Sequence, residues 1–286
     1  MNNNNTIIYT PKGPNIESES GIFLTTRLMW RELVSARGLI WRLFLRDFSA
    51  KYRQTVLGVA WAMLMPLVTI GMFIGMNRSG ILTIQDIDIP YPLYAIIGIS
   101  IWNLFTVGLT ASTNALVSGG SMVVKINFPK VALVLSATGQ GVVEFLIRLI
   151  LISLAFLYFG VMPDWSGVFI GLMCLIPIYL IMTGIGFILS LAAGVLRDIV
   201  NVLNILLMGI MLLTPILYPI KGDSILGRIN TYNPFNYLVN VPRDFIVRGH
   251  TEFPVEFVWT TILSVIVFYI GWRLFYLAQT KIAERI

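Results

Sequence analysis

The chain has 286 residues, of which 57% are hydrophobic and only 12% charged, and its mean hydropathy is +0.82. A soluble domain carries roughly 25% charged residues, so this composition excludes a soluble globular protein and makes lipid the solvent for most of the chain. The net charge of +6 rests on Lys and Arg that border apolar runs, which points to anionic lipid headgroups and away from nucleic acid.

In chain order, residues 1–24, opening on MNNNN, are expected to form a disordered tail. Residues 25–55 are expected to form a cytoplasmic amphipathic interface helix. Arg42, Arg46, Ser49 and Arg53 fall at helical spacing on one face, and Leu33, Ile40, Phe44, Phe48 and Tyr52 on another. The first apolar run begins near Gln54, too far from Met1 and behind too many charges for a cleaved signal peptide, so it is expected to stay in the mature chain. About 20 apolar residues cross the hydrocarbon core as a helix. Candidate spans run from Val56 to Met76, Leu93 to Val117, Val131 to Gly160, Val168 to Leu196, Ile199 to Pro219 and Phe257 to Ala278. The expected fold is therefore all-α and polytopic, with residues 56–286 forming a six-span transmembrane domain. Lys and Arg concentrate in the segments that share a side with the N-terminus, which predicts cytoplasmic termini.

Residues 220–255 mix apolar and aromatic groups with Pro, Gly and charge. They read as one or two re-entrant helices between spans five and six, or alternatively as a surface helix pair. Irregular backbone at membrane depth must be buried in protein or face a wet cavity, so re-entrance implies a pathway.

No phosphate loop, H-E-x-x-H, paired-cysteine or G-x-S-x-G pattern occurs, and His250 is the only histidine, so neither catalytic nor metal-binding residues are expected. Cys174, the single cysteine, lies in an apolar run and excludes an intrachain disulfide. Glu144 and Arg148, four residues apart in the third span, share a helical face and are expected to neutralise one another, as a packing pair or along a polar conduit. Such a pair predicts that exchanging the two residues is tolerated better than Glu144→Ala. Pro66, Pro177 and Pro215 predict local kinks. Gly71 with Gly75, and Gly167 with Gly171, have the spacing of close helix approaches. Trp61, Tyr91, Tyr94, Trp102, Phe105, Tyr218, Tyr232, Phe235 and Tyr237 suit an interfacial belt or, turned inward, a stacking surface for a sliding sugar chain.

These features resemble a known family when taken in order. Arg46-Asp47, Tyr52-Arg53-Gln54-Thr55, Leu57-Gly58, Trp61 and Pro66 are similar to the interface helix and first span of permease subunits of type-2 ATP-binding-cassette exporters, in the branch that exports O-antigen, capsule or teichoic acid. Met65 stands where many relatives carry glutamine. Lys125-Ile126-Asn127-Phe128-Pro129-Lys130 resembles the end of the coupling segment, residues 118–130, and Arg197-Asp198 the next cytoplasmic turn. Thr214-Pro215-Ile216-Leu217-Tyr218-Pro219 resembles the close of the fifth span. Asn233-Pro234-Phe235-Asn236-Tyr237, with Arg243 and Gly249, resembles the gate region, 220–255.

The resemblance implies a homodimeric permease, not an enzyme, in the bacterial inner membrane. Two nucleotide-binding subunits would hold ATP and Mg on the cytoplasmic side, and this chain would carry no cofactor. It implies coupling through Arg42, Arg46, Asp47, Arg53, Lys125, Phe128, Pro129 and Lys130, and a periplasmic gate of Asn233, Pro234, Phe235, Tyr237 and Arg243. The conduit aromatics would be Trp61, Tyr94, Trp102 and Phe105, and the substrate a lipid-linked polysaccharide, O-antigen first. One rival is a permease for a small drug or lipid, favoured by a conduit without inward aromatics. Another is a membrane enzyme acting on lipid-linked sugars, for which Asp86, Asp88 and Asp164 are the candidate acids.

Overall fold

The computed structural model describes residues 9–10, 13–14, 22–53, 58, 60–79, 89–120, 128–196, 198–217 and 225–282. The described residues are helical apart from turns and one short pairing, Tyr9–Thr10 against Gly13–Pro14, which falls inside the expected tail. The helices are α1 Ile22–Arg53, α2 Ala60–Arg78, α3 Tyr91–Gly119, α4 Val131–Phe159, α5 Trp165–Met173, α6 Ile176–Val195, α7 Ile199–Leu213, α8 Ile225–Thr231, α9 Pro234–Arg248 and α10 Pro254–Ile282. Helix α1 starts upstream of residue 25 because Thr25 and Met29 are already buried by packing.

Among the described residues, four stretches are long and apolar enough to cross a membrane: α3, α4, α5 with α6, and Pro254–Gln279 of α10. Two further apolar helices are shorter, Ala60–Met76 and Ile199–Leu213. The fifth expected span ends early. Helix α7 stops at Leu213, since the N–H-less Pro215 cannot continue the ladder, so Pro215 lies beyond the helix rather than kinking it. Pro66 does lie inside α2. Pro177 enters the second residue of α6, and the missing N–H leaves a break at Cys174–Leu175 that divides the expected fourth span.

Helix α3 occupies the centre: 78% of its apolar stretch is buried, against 28% for those of α4 and α10. Helices α4 and α6 flank it, α10 packs on the far side of α6, and α1 lies along α4. Small residues set the approach. A Cβ on Gly141 would fall 2.5 Å from the Leu104 carbonyl oxygen, and one on Gly271 would overlap the carbonyl of Gly184, so these helices meet backbone to backbone. Gly167 and Gly171 likewise press on α9 at Phe245 and Pro242, whereas a Cβ at Gly71 or Gly75 would meet only open space.

Turn chemistry fixes the connections into α5 and α9. Gly160 ends α4 in the left-handed region at φ +64°, where a Cβ would be strained. Asp164 then caps α5, accepting from Gly167 N at 2.8 Å. Asn233 caps α9, accepting from Phe235 N at 3.0 Å, and Pro234 is preset for the first helical position.

Candidate functional site

Amphipathic α1 packs as its pattern requires. Leu33, Ile40, Phe44 and Phe48 are half-buried with Leu43 beneath them, while Arg42, Arg46 and Ser49 are exposed. Phe44 lies so close to Gly139 that a Cβ there would sit 2.8 Å from the ring, which brings α1 onto α4. Arg46 pairs with neighbouring Asp47 at 2.7 Å. The Arg53 side chain and Lys125 lie outside the described residues. Phe128 packs on the cluster that α1, α3, α4, α6 and α10 form together, and the carbonyls of Pro129 and Lys130 accept the first amides of α4, from Ala132 and Leu133 at 3.0 Å each. Burial pulls the Lys130 ammonium below its usual range, and the carboxylate of Glu32 on α1 opposes that.

Glu144 and Arg148 do meet, Arg148 Nη2 donating to Glu144 Oε2 at 3.0 Å, and both are buried. A third charge that the spacing did not announce, Lys51 of α1, donates to Glu144 Oε1 at 2.5 Å, and Arg148 Nε donates to the Ala62 carbonyl of α2 at 3.2 Å. The cluster therefore joins α1, α2 and α4.

The five residues of the expected gate come together around α9. Arg243, only 3% exposed, donates to the carbonyls of Ile216 and Pro215 at 3.2 Å each, to Tyr94 Oη at 2.7 Å and to Asn240. Its guanidinium carbon is 3.6 Å from the centre of the Tyr94 ring. Tyr94 in turn donates to the Pro215 carbonyl at 3.2 Å, Asn233 Nδ2 to Thr214 Oγ1 at 2.9 Å and Tyr237 to the Thr231 carbonyl at 2.8 Å. A buried cation with this many acceptors is satisfied in place, and it pins the Thr214–Leu217 turn to α3 and α9.

The four expected conduit aromatics separate. Trp102 and Phe105 are 3% and 1% exposed, with Phe235 packed 5.7 and 4.7 Å from their ring centres. These two rings therefore fill the core instead of lining an open surface, because α9 lays Phe235 over them. Tyr94 is held in the Arg243 network, and Trp61, 48% exposed, alone presents an open ring.

Of the candidate acids, Asp86 and Asp88 lie outside the described residues, and Asp164 is committed to its cap. Hydrogen bonds from Ser166 and Gly167 hold its carboxyl below the ordinary range, which suits an ionised cap and not a proton donor. His250 is exposed, with Nδ1 3.0 Å from the Arg248 carbonyl.

The structure also contains a feature the sequence reading missed. A recess of about 390 Å³ opens between α1, α3, α4 and α7, lined by polar Lys51, Thr106, Thr110, Asn114, Gln140 and Asn204. The signal was present only as Thr106, Thr110 and Asn114 at four-residue spacing, among the other polar residues of the same span.

A bundle of apolar helices around one buried central helix, with a basic amphipathic helix along its flank and a polar recess within, defines a multi-pass membrane transport subunit. Residues 38–247 match the family described as ABC-2 type transporter, and the chain belongs to that family. It is 26% identical over 207 residues, 71% of this chain and 78% of the relative, to the O-antigen export system permease protein RfbA of Myxococcus xanthus. Against an O-antigen export system permease protein RfbA of Klebsiella pneumoniae it is 22% identical over 244 residues, 84% of this chain and 91% of the relative. A second protein of that name from Klebsiella pneumoniae is 25% identical over 210 residues, 71% of this chain and 78% of its own length.

Proposed function

We propose that this chain is the transmembrane subunit of an ATP-driven exporter that carries a lipid-linked polysaccharide, O-antigen in the first instance, outward across the bacterial inner membrane. The observation that carries this reading is the similarity to three relatives, each named an O-antigen export permease, over most of both chains. In this reading α2 and α7 join the four longer stretches to make six spans, both termini are cytoplasmic, and α8 and α9 re-enter from the outer face as a gate. Two copies enclose the conduit, and two nucleotide-binding subunits supply ATP and Mg. The segment from Lys125 to Lys130, with Arg42, Arg46, Asp47 and Arg53 of α1, receives their movement. Phe128 supports that role, since its packing ties the segment to the bundle.

Burial of Trp102 and Phe105 favours a second reading, a permease for a small amphiphile, because it removes two rings from the conduit. One experiment addresses both. The tagged chain is purified from its native host in mild detergent and its companions are identified by mass spectrometry, while a strain deleted for the chain is assayed for surface polysaccharide. An ATPase at one per permease and loss of surface glycan are expected. Copurified ATPase with unchanged surface glycan selects the small amphiphile, and the absence of any ATPase from stable preparations refutes the coupling mechanism.

A further inference from the structure

We propose that the recess between α1, α3, α4 and α7 is a glycan-binding site, in which Thr106, Thr110, Asn114, Gln140 and Asn204 hydrogen-bond sugar hydroxyls. This rests on the glycan-export reading and names the surface that would hold the chain in transit.

The first observation is an imbalance in hydrogen bonding. In α3, α4 and α6 every other serine and threonine closes on a backbone carbonyl of its own helix: Ser100, Ser112, Thr113, Ser118, Ser136, Thr138, Ser153, Thr183 and Ser190. Thr106 and Thr110 do not. Among the described residues, nor do Asn114, Gln140 or Asn204 make any side-chain hydrogen bond within the chain. Polar groups left open at membrane depth are costly unless water or a ligand meets them, and here five of them converge on one cavity.

The second observation is the kind of ligand these groups match. Hydroxyls and carboxamides both donate and accept, as sugar hydroxyls do, and an acyl chain would leave all of them unmet. Charge adds no contrary demand, because the Lys51 ammonium at the rim is already engaged by Glu144. Thr106, Thr110 and Asn114 climb α3 with a rise of about 6 Å per step, which makes a ladder along which a polyhydroxylated chain has equivalent partners at each turn. The volume of about 390 Å³ lies within the roughly 300–1,000 Å³ of ligand pockets.

The test uses the whole transporter in its native host, deleted for the chromosomal copy. The photocrosslinker p-benzoylphenylalanine replaces Val107, which lines the recess, or Leu157 on the exposed side of α4, 78% accessible. After illumination, the host's own lipid-linked glycan is sought on the permease by periodate and hydrazide labelling. Glycan is expected on the Val107 variant and not on the Leu157 variant. Adding Thr110→Val with Asn114→Leu should lower the adduct about tenfold, whereas Thr110→Ser should retain it. Normal export with phospholipid, or nothing, captured at Val107 overturns the site and leaves the exporter reading standing. A host that exports the same glycan with the chain deleted overturns the exporter reading itself.

Discussion

Lys51 Nζ lies 2.5 Å from one oxygen of Glu144 while Arg148 Nη2 holds the other at 3.0 Å, so the carboxylate is bridged by two cations from different helices. The i, i+4 spacing alone presents a pair whose members are interchangeable. The bridge does not.

Exchanging the two residues, Glu144→Arg with Arg148→Glu, places a guanidinium beside the Lys51 ammonium, so the exchange should destabilise at least as much as Glu144→Ala. Removing the acid leaves buried Arg148 without its carboxylate, for which about 3–5 kcal/mol is typical. Lys51→Met should cost no more than about 1 kcal/mol, because the lysine side chain is 37% exposed. Thermal unfolding in detergent orders the three variants, and an exchange more stable than Glu144→Ala would show that Lys51 does not bridge.

Arg243→Ala should loosen the contact of α9 with the Thr214–Leu217 turn by about 1–3 kcal/mol, since the carbonyls of Pro215 and Ile216 lose their shared donor. Tyr94→Phe keeps the ring under the guanidinium and should cost less. Gly98→Ala should loosen it at least as much as Arg243→Ala, because a Cβ there would fall 2.3 Å from the Ile216 carbonyl oxygen and 2.8 Å from Arg243 Nη1. Hydrogen exchange over residues 214–248 measures the loosening, and unchanged protection in Arg243→Ala would contradict the pinning role.

Gly184→Ala and Gly271→Ala should each destabilise by about 1–3 kcal/mol through overpacking at the α6–α10 contact. Gly75→Ala, in open space within α2, should be neutral or gain up to about 1 kcal/mol from helix propensity. Equal melting temperatures for all three would mean that α6 and α10 do not meet backbone to backbone.

The aromatic set should divide by readout. Phe105→Ala removes a buried ring and should cost about 3–5 kcal/mol of stability. Trp61→Ala should leave stability within about 0.5 kcal/mol and slow export, which surface-glycan staining detects. Normal export by Trp61→Ala would remove that ring from the substrate path.

What could be read from the sequence was local. The second, third and sixth spans follow from apolar length, the Glu144–Arg148 contact from four-residue spacing, and the faces of α1 from helical period. Contacts between distant segments were not legible: Lys51 is 93 residues from Glu144, and the recess sets three polar residues of α3 against one each from α1, α4 and α7, which no local pattern brings together. Trp102 and Phe105 were ambiguous for a different reason. An aromatic ring is equally suited to a core and to a sliding surface, and only the placement of Phe235 decides between them.

The break at Cys174–Leu175 assigns the two parts of one apolar stretch to different partners. Gly167 and Gly171 seat α5 on α9, while Gly184 locks α6 to α10. If α9 swings as the proposed gate would, α5 must travel with it as a passenger, and the torsion falls where Pro177 withholds an N–H and Leu175 N turns to Leu172 O at 3.2 Å. On that reading the moving part and the frame it moves against are cut from a single stretch of chain, and Pro177 marks the joint.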